Sequence, residues 1–79
     1  MRATVHVFLK PGVLDVQGKA VEQALHGLGW GDVANVRVGR IIAYDSAAAD
    51  TAAAEADARR MADRLLANQV IESYKIVVE

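Results

Sequence analysis

Lys10-Pro11-Gly12-Val13-Leu14-Asp15-Val16-Gln17-Gly18-Lys19-Ala20-Val21 decides the fold, because it closes one element and opens another of a different kind. Proline gives no N–H to a ladder and glycine accepts turn geometry, so Pro11-Gly12 ends the strand that runs into Lys10. Asp15 is a strong N-cap, since its carboxylate can accept from the backbone N–H groups two or three residues on. A helix therefore starts at Val16. Gly18 stands in its first turn at a cost of up to about 1 kcal/mol against alanine, which implies close backbone approach to something.

Before this run, Ala3 to Lys10 alternates, with Val5, Val7 and Leu9 on one side and Thr4, His6, Phe8 and Lys10 on the other. That is the period of a strand. After it, Val16, Ala20, Ala24, Leu25 and Leu28 form one helical stripe, with Glu22 and His26 four apart on the polar side. Gly27, Gly29 and Gly31 stop the helix, with Trp30 among them. Asp32 to Asp45 then reads as one strand. Extended, it would span on the order of 45 Å, long for a domain of this size, so it is expected both to bend or bulge at Gly39 and to pair partly outside its own subunit.

Ser46 to Ala58 is nearly all alanine with Asp50, Thr51, Glu55 and Asp57, a helix lead-in by propensity. Ala58, Met61, Ala62, Leu65 and Leu66 give its buried stripe, with Arg59, Arg60 and Arg64 off it. Asn68 is suited to close the helix in a left-handed conformation. Tyr74 to Glu79 alternates again. The order is β-α-β-α-β, an α+β layer of two helices on one face of a small, mainly antiparallel sheet with a long central strand. The opposite sheet face would carry His6, Phe8, Ile41 and Val77 among Thr4, Lys10, Arg37 and Lys75. That mixture is too apolar for water and too polar for a core, and an interface suits it.

Seventy-nine residues are read as one domain, 1–79, near the lower end of what folds alone. Such a core rarely supplies more than about 3–5 kcal/mol without a staple, and there is no cysteine to make one. Oligomerisation is the remaining common route. The apolar fraction of 53% is inflated by fifteen alanines. A net charge of −1 gives no footprint for a nucleic-acid backbone. With no long apolar run and no signal-peptide pattern, the expected location is cytoplasmic.

Taken with Ala24-Leu25, Leu28-Gly29-Trp30, Val36-Arg37-Val38-Gly39-Arg40 and the tail from Leu65 to Tyr74, the opening run resembles the PurS family over the whole chain. Where that family often has proline, this chain has Val16 and Gln69. The resemblance implies a small subunit of phosphoribosylformylglycinamidine synthase, an ATP-dependent, glutamine-using C–N ligase of purine biosynthesis. On it, a synthetase subunit (PurL) binds ATP and Mg, a glutaminase subunit (PurQ) releases ammonia, and this chain bridges them as a homodimer, or a tetramer built from dimers. It implies no cofactor and no metal held by this chain, and no catalytic residue.

The residues themselves offer few alternatives. His26 belongs to a solvated helix face, and His6 has no carboxylate at relay spacing, so packing outweighs acid–base chemistry for both. Gly27, Gly29 and Gly31 follow a helix, whereas phosphate cradles precede one. Arg37 and Arg40, flanking Gly39, could grip a carboxylate on a partner or simply keep a strand edge charged. Gln17, Gly18, Lys19, Arg37, Gly39 and Arg40 are thus the candidate partner contacts, and His6, Phe8, Ile41 and Val77 the candidate dimer face. Reversing the charge of Arg37 and Arg40 is expected to spare the fold and weaken assembly. A stand-alone small-molecule-binding regulatory domain is the competing class. An RNA-binding sheet would need more aromatics than Phe8.

Overall fold

Alternation in the first residues becomes strand β1, Arg2–Leu9, with Ala3, Val5 and Val7 buried and Thr4, His6 and Phe8 on the other side. The computed structural model describes all of residues 1–79. β1 is the middle strand. It pairs antiparallel with β2, Gly39–Asp45, on one edge and with β3, Glu72–Val78, on the other. Val5 lies opposite Ile42 and Ile76, and His6 opposite Ile41 and Lys75. One face is therefore aliphatic and aromatic, the other mixed, as the sequence implies.

Helix α2, Thr51–Met61, lies on the aliphatic face, capped by the Asp50 carboxylate accepting from the Ala53 N–H at 2.8 Å. Ala54, Ala58 and Ala62 recur at four-residue spacing and are fully buried. Ala58 and Ala62 share the core cluster with Val5, Val7 and Ala67, with Ile42, Tyr44, Leu66, Tyr74 and Ile76 packed around it. The alanine-rich stretch thus has a packing role, since a methyl group is the largest thing its seam admits.

Residues Ala62–Leu66 continue as a π-helical turn, closed by the Ala67 N–H on the Ala62 carbonyl at 3.0 Å. The wider turn keeps Leu66 against the core but swings Leu65 outward, where it is 83% exposed. This corrects the expected stripe, which placed Met61 and Leu65 inside. Nor is Asn68 left-handed: the helix ends because Ala67 is extended, and the Asn68 side chain accepts from the Val70 N–H instead.

Helix α1, Val16–Gly27, stops as expected at the glycines. Gly29 takes φ 109°, the Gly29 N–H bonds the His26 carbonyl, and the Trp30 N–H bonds the Leu25 carbonyl, a Schellman closure. Its seat differs from the expectation of two helices lying on one face. Within the single chain only α2 rests on the sheet, and α1 stands beyond its end with Gly18 as its sole buried residue. The stripe read as core is open, Val16 at 71% exposure and Leu28 at 72%.

The long strand is also corrected. Only Gly39–Asp45 joins the ladder, and the central strand is the eight-residue β1. Residues 33–38 spend their hydrogen bonds on α1 and its cap. Val33 O accepts from His26 Nε2, Val36 N–H donates to Glu22 Oε1, and Val38 N–H donates to Asp15 Oδ2. Asn35, at φ 57°, breaks any extended run between them. The molecule measures 49 × 25 × 14 Å, with a radius of gyration of 15.7 Å against roughly 12 Å for a compact chain of this length.

Candidate subunit-contact surfaces

Asp15 joins three parts of the chain. Its Oδ1 accepts from the Gly18 N–H at 2.7 Å and its Oδ2 from the Val38 N–H at 2.7 Å. These two bonds, the Val38 one foremost, hold its carboxyl below the usual aspartate range, and the nearby Arg37 guanidinium adds to the effect. A Cβ on Gly18 would lie 2.4 Å from the Val36 carbonyl oxygen and 2.7 Å from Asp15 Oδ2. Gly18 is therefore required by its own chain, a local reason for this glycine that the sequence reading did not supply.

Three other candidates also have roles within the chain. A Cβ on Gly39 would lie 2.6 Å from the Val7 carbonyl oxygen, so close strand approach accounts for this glycine. Arg37 donates through Nη2 to the carbonyls of Lys10 and Val13, both at 3.0 Å, fastening the loop before Asp15. Arg40 reaches across β1 to Glu72, with Nη1–Oε2 at 2.6 Å and Nη2–Oε1 at 3.1 Å, and its Nη2 also bonds the Leu66 carbonyl. Arg40 in turn lowers the Glu72 carboxyl, with help from the Asn68 N–H. Reversing both arginines removes these intrachain bonds and is therefore expected to weaken the fold as well.

Gln17 and Lys19 remain exposed. A cleft of ≈ 230 Å³ lies beside Gln17, bordered also by Asp15, Arg40 and Glu72. Its charged groups are already satisfied within the chain. No group of three or more histidine and acidic residues is arranged to hold a metal.

The structure brings the four dimer-face candidates together. His6 and Ile41 are direct cross-strand neighbours, Phe8 follows on the same face of β1, and Val77 lies opposite Thr4. Thr4 Oγ1 contacts His6 Nε2 at 3.3 Å, and Phe8 and Ile41 are exposed.

Two further apolar surfaces escaped the sequence reading. One is the α1 stripe, Val16, Val21 and Leu28 with Trp30; the other is Met61, Leu65 and Val70 around the π turn. Both were visible as periodic apolar residues. Periodicity says that a stripe is covered, not which molecule covers it.

Residues 2–79 match the family model described as PurS: phosphoribosylformylglycinamidine (FGAM) synthase. The chain is 44% identical over 70 residues to the phosphoribosylformylglycinamidine synthase subunit PurS of Synechocystis, covering 89% of this chain and 70% of that protein. The crystal structure of Methanocaldococcus jannaschii PurS, one of the subunits of formylglycinamide ribonucleotide amidotransferase in the purine biosynthetic pathway, has a similar fold. Its TM-score is 0.89 at 35% identity, over 99% of this chain and 94% of that one. A chain in the structure of PurLQS from Thermotoga maritima shares the fold, with a TM-score of 0.87 at 24% identity over 96% and 93%.

Proposed function

The chain belongs to the PurS family, and from that membership we propose that it is the small bridging subunit of a phosphoribosylformylglycinamidine synthase complex. It acts as a homodimer between a synthetase subunit and a glutaminase subunit, PurL and PurQ in the family's terms. The complex converts formylglycinamide ribonucleotide, glutamine and ATP to formylglycinamidine ribonucleotide. The chain's part is to hold the two enzymes so that ammonia passes from one to the other without reaching solvent. It supplies no catalytic group and binds no cofactor; ATP and Mg belong to the synthetase, and the assembly works in the cytoplasm.

The observation that carries this reading is the family match over residues 2–79. The form of the chain supports it. Only 9 of 79 residues are buried, while the mixed sheet face and the α1 stripe lie open, a distribution suited to a part that completes its core against other chains. Reconstitution tests the proposal. With synthetase and glutaminase from the same organism, glutamine-dependent synthesis should require this chain, and ammonia-dependent synthesis by the synthetase should need it far less. Full glutamine-dependent activity in its absence would refute the bridging role.

A further inference from the structure

We infer that the face built by the end of α2 and the π turn docks a larger, acidic-rimmed subunit rather than a second copy of this chain; the inference rests on the bridging role. Met61, Leu65 and Leu66 lie together there with Asp57, Arg60 and Arg64. The next turn, fastened to this end by Gln69 Nε2 on the Asp63 carbonyl, carries Val70 at 82% exposure.

Single exposed leucines are ordinary, but a contiguous apolar patch on a small chain is not. The local backbone strengthens the case. An α-helical turn would carry Leu65 toward the alanine seam, beside Ala58 and Ala62. The π turn, a rare conformation that concentrates at functional sites, turns it out while leaving Leu66 packed against the core.

Charge then selects the occupant. Arg60 is paired with Asp57 on its own helix, whereas Arg64 has no hydrogen-bond or ion-pair partner within the chain. A two-fold contact of this patch with itself, centred on Leu65, would bring Arg64 close to Arg64, and repulsion at the rim would oppose it. A partner that offers an apolar side chain flanked by carboxylates satisfies both features. The mixed sheet face and the α1 stripe are left for the second copy.

Surface plasmon resonance against immobilised synthetase and glutaminase, with sedimentation equilibrium of the free chain, separates the outcomes. Leu65→Ser and Arg64→Glu should each weaken capture by one of the two subunits at least tenfold, and Arg64→Lys should retain most of it. Raising the salt from 50 to about 500 mM should weaken wild-type binding more than that of Arg64→Glu. Self-association and the circular dichroism melt should be unchanged in all three variants. Wild-type affinity in Leu65→Ser and Arg64→Glu would overturn the docking face, as would loss of self-association in folded variants. Wild-type protein that binds neither subunit would refute the bridging role itself.

Discussion

Replacing Gly18 by alanine sets two effects of known size against each other. Alanine should gain up to about 1 kcal/mol as a helix former and by restricting the unfolded chain. Its Cβ, however, would sit 2.4 Å from the Val36 carbonyl oxygen, a backbone atom whose residue is tied to α1 through the Val36 N–H on Glu22. Overpacking of this kind costs typically 1–3 kcal/mol, so Gly18→Ala should lower the stability measured by urea unfolding by about 1 kcal/mol or more. A more stable variant would show that the 33–38 segment yields. Asp15→Asn probes the same junction differently. One carboxylate oxygen becomes an NH₂ that faces a backbone N–H, so either the cap or the Val38 bond is lost, at about 1–3 kcal/mol. Asp15 and Glu72 both have carboxyls lowered in the folded state. Their ionised forms therefore favour folding. That contribution is whole above the unfolded values, near pH 4, and is lost as the pH falls through the lower folded values. Acid titration followed by fluorescence of Trp30 should show stability falling below about pH 4, with a flatter profile in Asp15→Asn.

Among the elements, the alanine seam of α2 makes the sharpest demand. Ala58 is fully buried between the helix and the sheet, so Ala58→Leu should cost about 1–3 kcal/mol or more through overpacking. The same change at exposed Ala53 should stay within about 0.5 kcal/mol. Equal effects at the two positions, measured by thermal unfolding, would refute the seam. What the sequence made legible follows the range of the forces involved. The strand of Val5 and Val7, the Asp15 cap and the glycine stop are local, and each stands where its chemistry requires. The errors lie where long-range partners decide. Val33 to Val38 carries enough branched residues to read as strand, yet its N–H groups are claimed by Glu22 and Asp15. Arg37 and Arg40 read as free cations because nothing nearby in sequence marks Lys10 O, Val13 O or Glu72 as their partners. Leu65 read as core because a periodicity argument assumes an α turn, and the π turn breaks that assumption.

At the scale of the whole molecule, a radius of gyration of 15.7 Å and nine buried residues describe a chain whose core is too small to account for its apolar content. The missing burial must come from association, since there is no disulfide to substitute for it. Stability should then depend on concentration: because a ligand that binds only the folded form raises its melting point by mass action, a self-associating chain does so for itself. A rise in melting temperature across a hundredfold range of protein concentration is expected. Ile41 on the mixed sheet face makes the test specific. It is 61% exposed within the chain, so Ile41→Asp should change an isolated protomer by no more than about 0.5 kcal/mol. Buried against a second copy, the same carboxylate would lose its hydration, with His6 directly across the strand and Lys75 one strand further on. Desolvating a charge costs several kcal/mol, and about 1.4 kcal/mol is a factor of ten in a dissociation constant. Ile41→Asp should therefore weaken self-association by a hundredfold or more in sedimentation equilibrium and remove the concentration dependence of melting, while the protomer keeps its circular dichroism spectrum. If the variant associates as tightly as the wild type, the mixed sheet face is not where the second copy sits.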